Sequence, residues 1–375
     1  MDSGPVLRLA GQVLVGPEEI EGDVWVVGGR LSFTPPVGLP GGAAFEVDTV
    51  HGWVLPGLVD AHCHVGLGAH GPTGRSTTEA QAILDRDAGA LLLRDAGSPT
   101  DTRWMDELDH LPRMVRAGRH IARTGRYSRG TGHEIEPADL PSYVVQEARR
   151  GDGWVKLVGD WIDRAAGDLA PCWPRAALVA GIAAAHAEGA RVTAHCFAES
   201  SLTDLVEAGI DCIEHATGLT EETIPLFVER QVAIVPTLVN IATFPEIADS
   251  AEGKFPIYSQ HMRDLHARRY ATIAMAFEAG IAIYAGTDAG TRVPHGLIAG
   301  EVQELVKAGL PATAAVSSAS WAARSWLGRE GLSEGAIADL VVYPGDPRVD
   351  PGVLLSPDLV MLGGQVVFAA GASIH

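Results

Sequence analysis

Eight short apolar runs that alternate with segments of helical period constrain the fold of this chain most strongly. Such runs, set between Ala-, Leu- and Glu-rich segments, are typical of βα units around a parallel sheet. Two helical segments, PRAALVAGIAAAHAEG and SSLTDLVEAG, end in glycine just before the next run, as a helix C-cap does. Eight units favour a closed (β/α)8 TIM barrel over the coarser alternative, an open doubly wound α/β sheet. The runs are WVLPGLVDAH, ALLLRDAG, RHIARTG, WVKLVGD, ARVTAHC, IDCIEHA, VAIVPTL and IAIYAGTDA.

The two ends of the chain have a different texture. Near the N-terminus, the short runs VLRLA, QVLVG, DVWVVGG and RLSF are separated by Gly and Pro, which indicates strands joined by tight turns. The same texture returns near the C-terminus with ADLVVY and QVVFAA. We therefore predict a small β-sandwich domain formed by residues 1–55 and 335–375, and a barrel domain formed by residues 56–334.

Charge and cysteine content narrow the class of partner. The 375 residues include 47 acidic and 28 basic residues, with a formal charge of −19 and no run of Lys and Arg. This balance argues against nucleic acid and membranes as partners. The four cysteines form no CxxC pair, and no signal peptide is evident at the N-terminus. No apolar run reaches the roughly 20 residues that span a bilayer. These features predict a cytoplasmic protein.

Candidate metal ligands stand at the ends of several predicted strands. His62 and His64 end the first run, and because side chains alternate along a strand, both can enter the barrel lumen. His195 and His215 end the fifth and sixth runs, and Asp288 follows the eighth. Imidazole and carboxylate groups suit Zn²⁺, Fe²⁺, Mn²⁺ or Co²⁺. Their joint occurrence at strand ends, where barrel active sites lie, predicts a metal centre.

Lys156 is unusual because it lies in the middle of the apolar run WVKLV. A charged ammonium group is costly to bury without a partner. One interpretation is an ion pair with a buried acid such as Asp160 or Asp95. The other is a neutral amine of lowered pKa that captures CO₂ as a carbamate, an anionic group able to bridge two cations.

These residues together resemble the amidohydrolase superfamily. The resemblance is carried by LPGLVDAHCH, Lys156, the two later histidines and GTDAG around Asp288. ADLVVYPGDP followed by VMLGGQVV resembles the C-terminal β segment of that superfamily. LLLRDAGSPTD resembles the second strand of its imidazolonepropionase-like and Xaa-Pro dipeptidase-like members. The similarity covers nearly the whole chain and implies the branch with a binuclear metal centre and a carboxylated lysine.

The resemblance implies a set of ligands and an activity. It implies two divalent cations, with Zn²⁺ expected from the ligand types, and a CO₂-derived carbamate on the lysine. The implied reaction is hydrolysis of a C–N bond in an amide, dipeptide, N-acyl amino acid or lactam. A metal-bridging hydroxide would attack, and Asp288 would act as general acid/base. The implied ligands are His62, His64 and Asp288 for one ion, His195 and His215 for the other, and Lys156 between them.

Substrate contacts are predicted mainly in the loop after the third run, RTGRYSRGTGHE. In the relatives, a His in a corresponding Gly-rich loop contacts the substrate, which implies a catalytic role for His133. The ordinary alternative is a solvated loop. Further candidates for substrate contact are Tyr127, Arg129, Asn240 and Arg292.

Two other readings of the sequence stay open. A mononuclear deaminase of the same superfamily uses a Glu shortly after the fifth-strand His, but Glu199 follows His195 at four residues instead of three. A metal-free scaffold would be expected to have lost ligands. Cys196 and Phe197 stand where some peptidase-like relatives carry a Tyr or polar residue, which favours an aryl or apolar acyl amide over a strict dipeptide. Relatives often form dimers or larger assemblies, so a homo-oligomer is compatible with this interpretation.

Overall fold

Strands and helices alternate along the central part of the computed structural model, which describes residues 6–36 and 48–371. Within these residues the strands are β1 (Leu7–Leu14), β2 (Ile20–Glu21), β3 (Val24–Val27), β4 (Arg30–Ser32), β5 (Asp48–Pro56), β6 (Leu58–Cys63), β7 (Leu67–Gly68), β8 (Gly71–Pro72), β9 (Ala90–Asp95), β10 (Arg113–Arg116), β11 (Ile121–Arg123), β12 (His133–Ile135), β13 (Trp154–Val158), β14 (Asp160–Asp163), β15 (Asp168–Pro171), β16 (Arg191–Cys196), β17 (Cys212–His215), β18 (Ala233–Val235), β19 (Leu340–Tyr343), β20 (Leu359–Leu362) and β21 (Gln365–Ala369).

The helices follow the strands of the central region in turn. In the described ranges they are α1 (Arg75–Asp87), α2 (Leu140–Arg150), α3 (Arg175–Ala187), α4 (Glu199–Glu207), α5 (Ile224–Arg230), α6 (Leu238–Ile241), α7 (Phe244–Ala251), α8 (Pro256–Glu278), α9 (Ile298–Lys307), α10 (Ala312–Ser318) and α11 (Trp321–Trp326). None of these helices combines the length and apolar character that a bilayer-spanning segment needs. The two predicted helical segments correspond to α3 and α4, and the glycines that follow them, Gly189 and Gly209, have φ values of 77° and 94°. Positive φ at these positions is the conformation expected of a C-terminal helix cap.

Two parallel sheets carry the predicted barrel strands. One has the order β10-β9-β6, and the other has the order β12-β11-β13-β16-β17-β18. Strands β6, β9, β13 and β17 are buried along their whole length, as expected when helices cover a parallel sheet. The strands therefore run side by side with their carboxyl ends at one edge.

The eighth predicted run differs from a regular strand. Residues 281–289 join the sheets only through isolated parallel bridges, from Ile283 to Ile234 of β18 and from Ala289 to Cys63 of β6. The third run is preceded by β10, a strand that the sequence did not predict. Strands β10 and β11 pair with different neighbours, so the described strands form no single continuous closed ladder.

The N-terminal and C-terminal strands lie in one mixed sheet of order β21-β20-β19-β5-β1-β3-β4, with β2 paired to β1. Strand β5 links the two ends of the chain, because it pairs in parallel with β1 and antiparallel with β19. A separate apolar cluster that includes Leu9, Val24 and Leu340 packs beneath this sheet. The domain boundaries and the two-layer sandwich stay predictions, and residues 1–5, 37–47 and 372–375 of the predicted small domain lie outside the described residues.

Candidate metal centre

A cavity of about 880 Å³ collects nearly all the residues that the sequence singled out. It opens where the parallel strands end, and its volume is in the range of small-molecule sites. The predicted ligands that line it are His62, His64, Lys156, His195, His215 and Asp288. The predicted substrate contacts that line it are Tyr127, Arg129, Asn240 and Arg292. His133 is not among the lining residues.

Three donor atoms converge at the ends of β6 and the eighth run. The Nε2 atoms of His62 and His64 are 3.2 Å apart. Asp288 Oδ1 lies 3.2 Å from His62 Nε2 and 2.9 Å from His64 Nε2. Donor atoms bound to one ion at about 2.0–2.1 Å stand roughly 3 Å apart. The spacing of this trio therefore suits a single cation.

The hydrogen-bond partners of His62 and His64 determine whether their Nε2 atoms carry a proton where the three donor atoms converge. His62 Nδ1 donates to Glu214 Oε2 at 2.7 Å, and His64 Nδ1 donates to the carbonyl oxygen of Gly97 at 2.7 Å. A neutral imidazole that carries its proton on Nδ1 presents a bare lone pair on Nε2. The Asp288 carboxylate is an acceptor as well. Three acceptor atoms thus meet with no hydrogen between them, an arrangement that a cation would stabilise.

The other two histidines form a second half of the site. The ring centroids of His195 and His215 are 4.8 Å apart, and those of His62 and His215 are 5.0 Å apart. His215 Nδ1 lies 2.7 Å from the Thr237 hydroxyl, and its Nε2 has no hydrogen-bond partner within residues 6–36 and 48–371. Burial lowers the pKa of His195 to about 3 and holds the pKa of His215 well below its usual value. Both rings are therefore neutral and able to act as ligands.

Lys156 lies on β13, is 1% exposed and lines the cavity. Burial lowers the pKa of its amine, although the carboxylates of Glu214 and Asp288 oppose that shift. The two acids that were expected as alternative partners are engaged elsewhere. Asp160 accepts backbone N–H groups of Phe197 and Ala198, while Asp95 accepts the N–H of Gly97. Among the described residues, Lys156 makes no ion pair.

The backbone at the site is strained. His215, Thr237 and Asp288 have φ values of 69°, 52° and 60°, in the left-handed region that non-glycine residues rarely adopt. Such conformations cost about 1–3 kcal/mol each and cluster at functional sites. The backbone therefore fixes the Asp288 carboxylate in place beside the two rings.

Two buried charged residues behind the site were missed by the sequence analysis. Glu214 precedes His215 on β17, and Arg94 lies on β9; both are fully buried. Arg94 donates to Glu214 Oε1 at 2.6 Å, and Glu214 in turn accepts from His62. A charged side chain inside an apolar run was the available signal, and it is the same signal that drew attention to Lys156.

The prediction that His133 contacts the substrate is corrected by the structure. His133 begins β12, and its Nε2 is bonded to the buried carboxylate of Glu147 at 2.8 Å. Because β12 pairs with the outer side of β11, His133 opposes Ile121 and its ring is held against Glu147, away from the cavity lining. Tyr127 of the same loop does line the cavity, and its ring lies 4.8 Å from that of Trp161.

The rest of the cavity lining consists mainly of apolar side chains and two arginines. Its wall is formed mainly by Tyr127, Trp161, Phe197, Ile247 and Tyr258. Arg129 and Arg292 lie exposed at its mouth, and neither pairs with a carboxylate of the residues that the structure describes. The cavity thus offers an apolar surface near the metal ligands and two free guanidinium groups further out.

Glu199, which the deaminase interpretation would require at the site, is placed elsewhere. It begins α4 and bonds to His261 Nε2 at 3.0 Å and to Arg268. It does not line the cavity.

Comparisons with known proteins agree with this geometry. The sequence model of the Amidohydrolase family matches residues 160–367. Uncharacterized proteins of Mycobacterium tuberculosis (Rv2915c) and Mycobacterium bovis (Mb2939c) are each 56% identical over 352 residues, which is 93% of this chain and of theirs. A crystal structure of an Xaa-Pro dipeptidase with bound methionine has a TM-score of 0.80 at 24% identity and covers 96% of this chain and 99% of its own. Ochratoxinase of A. niger has a TM-score of 0.78 at 17% identity and covers 100% and 98%.

The structural similarity at these identities shows a shared α/β fold that contains a TIM barrel. The family match spans more than half of the chain and supports a hydrolase. The ligand atoms of His62, His64 and Asp288 lie close enough together to hold a metal ion. The chain belongs to the amidohydrolase family.

Proposed function

We propose that this protein is a metal-dependent amidohydrolase that hydrolyses a C–N bond with two divalent cations in the cavity. The observation that carries the proposal is the convergence of His62 Nε2, His64 Nε2 and Asp288 Oδ1, which lie 2.9–3.2 Å from one another. His195 and His215 would hold the second ion. Zn²⁺ is the expected metal, because nitrogen and carboxylate donors at this spacing suit it.

Asp288 and Lys156 would have different roles in the reaction. Divalent cations, when bound here, would supply Lewis acidity and lower the pKa of water. Asp288 Oδ1 lies 3.2 Å from His62 Nε2 and 2.9 Å from His64 Nε2, so the carboxylate would accept a proton there and return it to the leaving amine. Lys156 is a buried amine that pairs with no carboxylate of the described residues. As a carbamate it would give an anionic ligand shared by the two half-sites.

The cavity favours one kind of small-molecule substrate. Arg129 and Arg292 at the mouth would bind a carboxylate, and a guanidinium group suits that role. The aromatic wall, which includes Trp161 and Phe197, would bind an apolar or aryl group next to the scissile bond. N-acyl amino acids and dipeptides with an apolar acyl side combine these features. The Xaa-Pro dipeptidase that shares the fold adds weight to the dipeptides of this class.

Asp288→Asn tests the proposal. Wild-type protein loaded with Zn²⁺ is screened against N-acyl amino acids, dipeptides and lactams, and amine release is measured. We expect turnover of at least one class, reduced about 10²–10⁴-fold in Asp288→Asn, because a general acid/base contributes a factor of that size. The variant should still bind metal through its remaining ligands. Asp249→Asn, on the exposed side of α7, is the control and should keep wild-type turnover.

Full activity in Asp288→Asn would rule out its role in proton transfer. Release of ammonia from an aminated ring, without hydrolysis of any amide, would favour the deaminase instead.

A further inference from the structure

The four imidazoles of the site differ in the hydrogen-bond partners of their ring nitrogens. His62 Nδ1 donates to a carboxylate, Glu214, at 2.7 Å. His64 Nδ1 donates to a backbone carbonyl, and His215 Nδ1 lies against a threonine hydroxyl. His195 makes no side-chain hydrogen bond with any described residue, and its Nε2 is buried. Among the residues described, His62 is therefore the one whose ring is hydrogen-bonded to a carboxylate away from the cavity; the carboxylates near the other rings, Asp95 at 4.0 Å from His64 Nδ1 and Asp160 at 3.8 Å from His195 Nε2, lie beyond hydrogen-bond distance.

The Glu214 carboxylate is itself fixed. Its side chain is fully buried, Oε1 accepts from Arg94 at 2.6 Å and from the Thr193 hydroxyl, and Oε2 faces His62. Arg94 also donates to the carbonyl oxygen of Ala61 at 2.6 Å. With both oxygens occupied, the carboxylate has no free rotation and must point Oε2 at the ring.

The guanidinium of Arg94 is in turn held between two indole rings. Its central carbon lies 4.6 Å from the ring centroid of Trp154 and 4.9 Å from that of Trp326. Cation–π contacts of this kind favour a desolvated guanidinium. A chain of fixed groups thus runs from the indoles of Trp154 and Trp326 through Arg94 and Glu214 to His62.

We infer that Glu214 is a positioning residue that orients His62 Nε2 toward the cation and makes the His62–His64–Asp288 half-site the tighter of the two. A carboxylate behind a ligating imidazole fixes its tautomer and strengthens it as a ligand, and loss of such a partner typically costs 10–100-fold in metal affinity. The inference rests on the proposed function, because it presumes that this cavity binds divalent cations.

Stepwise Zn²⁺ binding to the metal-free full-length chain tests the inference without any substrate. A chromogenic chelator competes for the ion, so the two binding steps give separate dissociation constants. In Glu214→Gln we expect the first, tighter constant to weaken by at least 10-fold, while the second stays within about twofold of wild type. Glu147→Gln is the matched control. Glu147 is an equally buried glutamate bonded to a histidine, His133, at 2.8 Å, but that histidine does not line the cavity.

Comparing the two Zn²⁺-binding steps distinguishes a positioning role of Glu214 from a merely structural one. Glu214 directly precedes His215 on β17, so a general disturbance of the strand would weaken the His195–His215 half-site as well. Equal weakening of both steps, or unchanged binding in Glu214→Gln, would overturn the inference. Wild-type protein that takes up no Zn²⁺ would instead refute the proposed function.

A second variant covers the chance that Glu214→Gln does not fold. Removing one member of a buried ion pair leaves an uncompensated charge, which costs about 3–5 kcal/mol. The double variant Arg94→Met with Glu214→Gln removes both charges at similar volume. We expect it to show the same selective loss of the first binding step, and equal loss in both steps would contradict the inference.

Discussion

Replacing Lys156 by methionine should leave the metal-free protein at least as stable as wild type while abolishing uptake of the cation pair. The amine is 1% exposed and makes no ion pair with any described residue. Burial lowers its pKa, so the folded environment disfavours the ammonium form relative to water. Methionine has nearly the same length and volume, fills the same space and brings no charge. The substitution therefore removes an unfavourable group without opening a cavity.

The size of the effect follows from the desolvation of the amine. A polar group that is moved from water into the protein without full compensation costs about 1–3 kcal/mol, and removing it recovers up to that amount. Unfolding entropies of about 2 cal/mol/K per residue convert this gain into a rise in Tm of about 1–4 °C for a chain of this length. The assay is thermal unfolding of chelator-treated protein, followed by Zn²⁺ titration of the same samples.

The control for this experiment is Lys307→Met. Lys307 is exposed on α9 and pairs with Glu304, so its loss should change stability by no more than about 0.5 kcal/mol. A fall of about 3–5 kcal/mol in Lys156→Met would be the signature of a broken buried ion pair and would refute the reasoning. Retention of two tightly bound Zn²⁺ ions in that variant would refute it as well.

Three further predictions concern residues around the cavity and away from it. Arg129→Gln combined with Arg292→Gln should raise KM about 10-fold for a carboxylate-bearing substrate, but not for its carboxamide analogue; equal KM changes for both would contradict the assignment. His133→Ala should keep kcat/KM within about twofold while lowering stability by about 1–3 kcal/mol in urea unfolding, because it takes a partner from a buried carboxylate. The hydrogen bond that His261 donates to Glu199 raises the pKa of His261 to about 9, so its stabilisation is complete below pH 6.5 and is lost as pH rises through 9. His261→Gln should remove on the order of 1–2 kcal/mol of this pH-dependent stability, whereas an unchanged pH profile of unfolding would disprove the pairing.

Much of the central fold could be predicted because parallel strands buried on both faces are nearly continuous apolar runs. Seven of the eight predicted runs contain strands of the structure. The eighth, residues 281–289, is held only by isolated bridges, since its end turns into the left-handed conformation at Asp288. Strand β10 was missed because RMVR is short and bounded by charged residues, so its sequence shows no recognisable alternation of apolar and polar side chains.

The positions of the candidate ligands could be predicted from sequence because residues at the carboxyl ends of barrel strands face the same end of the barrel. Spacing by two placed His62 and His64 on one face, and the structure brings both rings to one point. Glu214 and Arg94 escaped notice because their contact depends on which strands face each other across the barrel. His133 was wrongly placed because the sequence does not give the register of β12 against β11.

The central claim is that one cavity binds two divalent cations through four imidazoles, Lys156 and Asp288. Metal analysis of the purified chain, dialysed against Zn²⁺ and then against metal-free buffer, tests it most directly. The account predicts about two ions per chain, and about none after His62→Ala is combined with His195→Ala. One ion per wild-type chain would indicate a mononuclear deaminase, and none would indicate a scaffold; either result would contradict the claim.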